Sequence, residues 1–368
     1  MSTLKVDGIR SNSATSDAIT LASNGTCTAN ITNNLSNRNI IHNGSMVCSQ
    51  RATTFASITN DYCLDRYKFR NNNGVSGTFT VSQSTESPDG FGSSLKVAVG
   101  TADTSIGSSE YFNFRHPIEG QNLQALAKGT SSAKKSVLSF YVKTNKTGVY
   151  AILFYDNDNN RQFSVTYTVS NTNWNRYTID VPADTTGAYG NDNGSSLEIY
   201  WYLGAGSSLQ SGSLASSWQS YVASSNAVGQ VNFADSTSNE YYITGIQYEV
   251  NETGVATDFE HRSFGQELAI CQRYFQALSL NGLAASKVPY DSTFRCWYPF
   301  KQTMRAIPTI TYPSISNFQP GGATGTASGA NATVDGVQVK TGSSETNSNY
   351  IPNWVNDTSA IMKASADL

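Results

Sequence analysis

The chain has 368 residues, of which 38% are hydrophobic, 11% aromatic and only 14% charged, with a formal net charge of -3. The aromatic content argues against disorder, and a slightly acidic chain with no basic stripe has no electrostatic reason to bind nucleic acid or an anionic lipid surface. No run of 18 apolar residues occurs, so membrane insertion has no basis in the sequence. The polarity comes from Ser, Thr, Asn and Gly, which compete with a helical backbone, while 20 Tyr and 16 Phe suit pleated surfaces, so an all-β chain of two or three domains is expected.

Residues 1–36 form a thin first segment. Leu4, Val6 and Ile9, then Ile19 and Leu21, give short strands with too few apolar residues to close a core, so an intertwined stem stabilised by identical copies is expected. The start "MSTLKVDGIRSNSATSDAITL" lacks the charged-then-apolar order of a signal peptide, and synthesis in a cytoplasm is expected. From 37 to 262 the chain reads as successive strands, among them "GTFTVSQS", "SVLSFYVKTN", "GVYAILFYDN", "RQFSVTYTVS", "SLEIYWYLGAG" and "NEYYITGIQYEV", separated by turn clusters at sandwich spacing. The pattern predicts a jelly-roll-like antiparallel β-sandwich, with "YDNDNNRQ" as a hairpin loop.

A helix is predicted over 263–279. Ser263 and Gln266 make a capping box, Glu267 favours the first turn, and Leu268, Cys271, Phe275 and Leu278 share one face that must be buried at a seam between β-domains. Residues 280–368, with Pro299, Pro308 and Pro313 at strand ends, predict a smaller C-terminal β-sandwich domain. The five cysteines, Cys27, Cys48, Cys63, Cys271 and Cys296, contain no CxxC pair and no zinc spacing, so free buried thiols are expected.

The chemistry visible in the sequence is sparse. His42, His116 and His261 are isolated and no GxSxG elbow supports a nucleophilic hydrolase. Asp156, Asp158, Asp180 and Asp184 are the candidate carboxylates for glycoside cleavage, but they lie in loops where acidic residues ordinarily form turns. Asp156, Asp158 and Asn160 alternate as at the start of a calcium loop, yet Arg161 and Tyr167 stand where an EF-hand needs Gly and Glu, so a hairpin turn competes with a calcium site. In "EIYWYLGAG" Tyr200 and Tyr202 face one side of a strand and Trp201 the other. With Trp174 and Trp218 in polar loops, these rings are the candidates for stacking on sugars, core or subunit packing being the alternative.

The stretches "LKVDGIRSNS", "NIIHNGSMVCSQR", "SFYVKTNKTGVYAILFYDNDNNRQ", "DTTGAYGNDNGSSLEIYWYLGAG", "ATDFEHRSFGQELAICQRYF" and "FKQTMRAIPTI", in that order along one chain, give it a resemblance to tail fibre or appendage proteins of bacteriophages, especially those of marine cyanobacteria. The resemblance implies a virion protein, commonly homotrimeric, joined to other tail or capsid proteins by its N-terminal part. It also implies a sandwich similar to carbohydrate-binding modules and a distal domain facing the host. A noncatalytic protein that recognises a host-surface glycan without a cofactor is the expectation. A purely structural capsid-decorating or tail-connecting component is the alternative, and a polysaccharide-degrading tailspike a weaker one.

Overall fold

The computed structural model describes residues 6–13, 15, 17–29, 37–72, 74–287, 293–319, 323–342 and 353–368, which belong to two compact units, Met1–Arg38 and Asn39–Leu368. In the first unit β1 (Gly8–Ile9), β2 (Ile19–Leu21) and β3 (Cys27–Ala29) form one antiparallel three-stranded sheet. Ile9 is 53% exposed and Leu21 38%, so this sheet leaves its apolar side chains uncovered, as its composition predicts.

The second unit opens with β4 (Thr54–Phe55), β5 (Asn60–Tyr62), β6 (Lys68–Asn71), β7 (Thr78–Ser84), β8 (Ser94–Thr101) and β9 (Tyr111–Glu119). It continues through β10 (Ser136–Thr144), β11 (Gly148–Asp156), β12 (Arg161–Val169), β13 (Asn175–Val181), β14 (Ser195–Ala205), β15 (Gln219–Ser220) and β16 (Glu240–Val250). Two antiparallel sheets result, a six-stranded one in the order β13-β10-β16-β8-β7-β4 and a seven-stranded one in the order β15-β12-β11-β14-β9-β6-β5. The fold is therefore the all-β sandwich expected, and the 156–161 connection is the expected hairpin, with Asp156 opposite Arg161.

Alternation along the strands decides what fills the space between the sheets. Inward positions of both sheets meet in one core that includes Phe79, Phe112, Phe114, Phe140, Tyr150, Trp201 and Tyr241, all 0% exposed. Trp201 is its centre: the indole stacks on Phe114 at 5.2 Å and meets Phe140 edge-on at 6.2 Å. Buried tyrosines bring hydroxyls into this core, and the Tyr167 and Tyr241 hydroxyls satisfy one another at 2.7 Å.

The helix is shorter than its apolar spacing predicts. α1 spans Phe264–Gln272, opened by the capping box of Ser263 and Gln266. Phe275 and Leu278 lie beyond it in β17 (Phe275–Ser279), so only Leu268 and Cys271 of the predicted face are helical, and Glu267 is buried beside Cys271 where Leu268 is only half-buried. The reason is pairing: residues 275–279 find β25 (Ile361–Ser365) from the chain end, Phe275 opposite Ser365, and the ladder satisfies the backbone groups that face it. A run this short satisfies both periodicities, so spacing alone could not separate helix from strand.

The remaining strands are β18 (Ala284–Lys287), β19 (Thr293–Pro299), β20 (Thr309–Thr311), β21 (Ser314–Gln319), β22 (Ala323–Ala330), β23 (Gly336–Gly342) and β24 (Asn353–Val355). β17, β25 and β20 form a three-stranded sheet, and β18-β19-β23-β22-β21-β24 close into a barrel, where a second sandwich was expected. Their core centres on Leu278, Met304, Val337, Val339 and Met362. The seam to the sandwich is polar: Glu119 of β9, 0% exposed, accepts from Arg273 at 3.1 Å and faces Arg305 at 3.5 Å. Arg51 of the sandwich lies 3.7 Å over the Phe275 ring and pairs with both Asp65 and Asp367.

Candidate functional site: a tyrosine-lined cleft

Trp201 points into the core, so the residues on either side of it must point out of the seven-stranded sheet. Tyr200 and Tyr202 do so, and cross-strand pairing sets Tyr200 opposite Arg115 and Tyr111 opposite Ala205. On the next strand Tyr155 stands opposite Glu198. After β14 the chain folds back over this outer face through short 3-10 turns at Ser207–Leu209 and Ala223–Ser225. Leu209 and Ala227 pack there on Ala151, Leu153 and Tyr202, which anchors the returning segment.

Between that segment and the open part of the sheet runs a cleft of about 220 Å³, lined by Arg70, Tyr111, Arg115, Tyr155, Tyr200, Tyr202, Leu209, Tyr221 and Asn226. Its rings are held against one another: Tyr155 meets Tyr221 edge-on at 5.2 Å and Tyr200 at 6.4 Å, while Tyr111 meets Tyr202 at 6.2 Å. The Arg115 guanidinium covers the Tyr200 ring at 3.9 Å and bonds Glu198 at 3.1 Å. Asn226 donates to the Tyr221 hydroxyl at 3.0 Å. Burial, and then the Glu198 charge, push the Tyr200 hydroxyl well above its usual range, and burial does the same to Tyr202. Both phenols therefore stay neutral and able to donate. Tyr221, 37% exposed, is the most open ring of the set.

Of the five ring candidates from the sequence, the structure brings Tyr200 and Tyr202 together in the cleft and excludes Trp201, which is 0% exposed inside the core. Trp174 lies at the end of the opposite sheet, where its indole donates to Glu86 at 3.0 Å and its ring neighbours Tyr242. Trp218 is half-buried, donates to the Pro182 carbonyl at 2.8 Å and shields the Lys128 ammonium, so it acts as a cover. Tyr111, Tyr155, Tyr221 and Arg115 were not singled out in the sequence.

The three calcium candidates diverge. Asp156 is fully buried and takes the Lys128 ammonium at 2.7 Å together with the Asn159 amide, Asp158 is exposed and accepts from the Gly190 N–H, and Asn160 accepts from the Tyr155 hydroxyl. Asn160 supplies the left-handed residue of the turn, with φ 50°, which Asn tolerates. The Asn159 N–H to Asp156 bond is the local Asx contact of the hairpin, Asp158 ties the hairpin to the 190 loop, and the buried cation at Asp156 is a lysine. Lys128 also reaches Asp184 at 3.1 Å and the carbonyls of Thr186 and Gly187, and Asp184 is clamped by Arg161 at 2.8 Å. Asp180 pairs with Lys135 at the surface. Asp156 and Asp184 thus converge on one buried ammonium, while Asp158 and Asp180 are engaged elsewhere.

One group of metal-type donors appears that spacing did not reveal. Cys48, Asp65 and Cys271, all buried, lie with their ligand atoms within 4.8 Å of one another. Burial holds the Cys271 thiol, beside Cys48, well above its usual range, and the Asp65 carboxylate is engaged by Gln50 and Arg51. Cys63 is likewise buried and free, and Cys296 is partly buried and free; the Cys27 side chain lies outside the described residues.

No protein-family model matches the chain, and no curated protein matches it. Among solved structures it is similar to the enzymatically active domain of tailspike protein 4 of bacteriophage CBA120, at 15% identity and a TM-score of 0.32, over 58% of this chain and 21% of that one. The chain thus spans about a fifth of the length of that tailspike chain. It is also similar to the family 11 carbohydrate-binding module of Clostridium thermocellum, at 11% identity and a TM-score of 0.29, over 56% of this chain and 98% of that one. A putative sugar-binding protein from Bacteroides thetaiotaomicron aligns at 10% identity and a TM-score of 0.31, over 58% of this chain and all of that one. Scores this low carry no argument about ligand or activity.

Proposed function

We propose that the chain is a noncatalytic glycan-binding protein of the phage appendage type, and that the tyrosine-lined cleft on the outer face of the seven-stranded sheet is its sugar site. One observation carries this reading: five tyrosines, two arginines and an asparagine converge on one open cleft of about 220 Å³. The flat apolar faces of the rings suit the C–H faces of pyranose rings, and phenol, guanidinium and amide groups suit their hydroxyls. The cleft lining contains no carboxylate; Glu198, on the same face beside Tyr155 and Tyr200, is bound to Arg115. That donor set favours binding over acid-base cleavage, which needs two free carboxyl groups.

The thin N-terminal sheet is read as the part that joins the virion and the sandwich as the part that meets the host, in a homotrimer whose three weak sites act together. A host-surface glycan is the partner and no cofactor is required. A glycan array probed with the full chain tests this, with Tyr155→Ala and Tyr200→Ala against Trp174→Ala. Binding that falls about tenfold or more in the first two and persists in the third supports the cleft. Silence across host glycans, with a correctly folded protein, overturns it and leaves the purely structural virion role.

A further inference from the structure

Beside the seam, behind the strand that gives the cleft its Arg115, lies a cluster of buried polar groups that the sugar-binding reading does not use. Arg66, in the turn before β6, is 1% exposed and takes a left-handed backbone with φ 73°, unusual for a residue with a side chain. Its guanidinium packs flat on the Tyr274 ring at 3.5 Å and donates one bond, from Nη2 to the Pro117 carbonyl. Among the described residues its Nε and Nη1 have no partner and no carboxylate pairs with it. A guanidinium cannot shed its proton, so an unpaired buried arginine carries the full cost of a desolvated charge.

Four further buried polar atoms without partners belong to the rings around it: the Tyr67 and Tyr274 hydroxyls and the Nδ1 atoms of His42 and His116. Tyr67 and His116 are in ring contact at 5.0 Å, His116 and His42 at 6.4 Å, and His42 and Tyr274 at 5.8 Å, so the set is contiguous. Burial, reinforced by the Arg66 charge, holds both histidines well below their usual range, leaving neutral rings that can each donate one N–H. The neighbouring cations are already spent, Arg262 on Glu267 at 3.5 Å and Arg273 on Glu119 at 3.1 Å. His42 and Tyr274, at the edge of the cluster, also line an open cavity of about 420 Å³ bounded by Asn122, Arg273, Gln302 and Thr303.

We propose that Arg66, Tyr67, His42 and His116 form a binding site for a small monovalent anion of chloride or carboxylate type, entered through this seam cavity. The anion supplies the missing countercharge and accepts from donors that would otherwise be unsatisfied. Where the anion is a carboxylate, the cavity has room for the molecule that bears it.

The test is chlorine-35 NMR line broadening with the full chain, titrated with chloride and then with formate or glucuronate as competitor. A saturable excess width displaced by formate is expected. In Arg66→Met the broadening should vanish, and in Tyr67→Phe binding should weaken about tenfold, as loss of one hydrogen bond to a charged group predicts. Displacement by glucuronate as well would identify the carboxylate of a larger molecule as the occupant; displacement by formate alone would identify a free ion. Absence of saturable broadening overturns the proposal, as does unchanged binding in Tyr67→Phe, which decides the matter alone if Arg66→Met fails to fold.

Discussion

Lys128→Met removes the ammonium that occupies the junction of the 156–161 hairpin and the 182–190 loop. The two carboxylates lie at 2.7 Å and 3.1 Å from Nζ, each attracting it by about 5–6 kcal/mol at an effective dielectric constant of 20, most of which is offset by the cost of desolvating three charges. Asp184 keeps its fork to Arg161, but Asp156 retains only the Asn159 backbone and side-chain amides. An uncompensated carboxylate with 0% exposure is expected to cost about 3–5 kcal/mol, or about 4–7 °C in Tm for a unit of this size. Urea unfolding followed by tryptophan fluorescence measures it, Trp218 lying 5.5 Å from the ammonium.

The same variant tests whether the Lys128 ammonium stands where a divalent ion would otherwise be held by the aspartate-rich hairpin. Without the ammonium, two carboxylates and the carbonyls of Thr186 and Gly187 face one position, a set of oxygen donors suited to a hard cation. Millimolar calcium should restore part of the lost stability in Lys128→Met and leave the parent unchanged. A loss below about 1 kcal/mol, or an equal calcium response in the parent, would refute the reasoning.

Three further outcomes are expected. Trp201→Ala empties the stacked position between Phe114 and Phe140 and should destabilise by about 3–5 kcal/mol in chemical denaturation, whereas Trp174→Ala should change stability by less than about 1 kcal/mol. Glu119→Gln leaves Arg273 and Arg305 facing a neutral amide at the seam, with an expected cost of about 3–5 kcal/mol measured by urea unfolding. Burial raises the Asp184 carboxyl, but hydrogen bonds from Arg161, the Thr186 amide and Lys128 outweigh it and hold it below the usual range. A depressed carboxyl contributes stability that is complete above its unfolded value, near about pH 4, and is lost as pH falls through its folded value. The stability difference between the parent and Arg161→Gln, measured by urea unfolding, should therefore shrink below about pH 4.

What the sequence made legible and what it hid follow from the same rule, that local pattern reports the nearest partner and not the distant one. Alternation in "EIYWYLGAG" separates Trp201 from Tyr200 and Tyr202, because a strand has only two faces, but the pattern is silent on which face meets the other sheet. The answer lies in Phe114 and Phe140, far away in the chain, whose rings close on the indole. Ser263 and Gln266 fix the helix start from four residues of text, whereas its end is decided by β25, nearly a hundred residues on, which claims 275–279 as a strand partner. The aspartates read as a loop because Asx turns are local, while the lysine between Asp156 and Asp184 comes from the other side of β10. The cleft belongs to the second class. Its rings come from β9, β11, β14 and the segment that folds back after β14, and each alone looks like an ordinary strand tyrosine until antiparallel register brings them onto one surface.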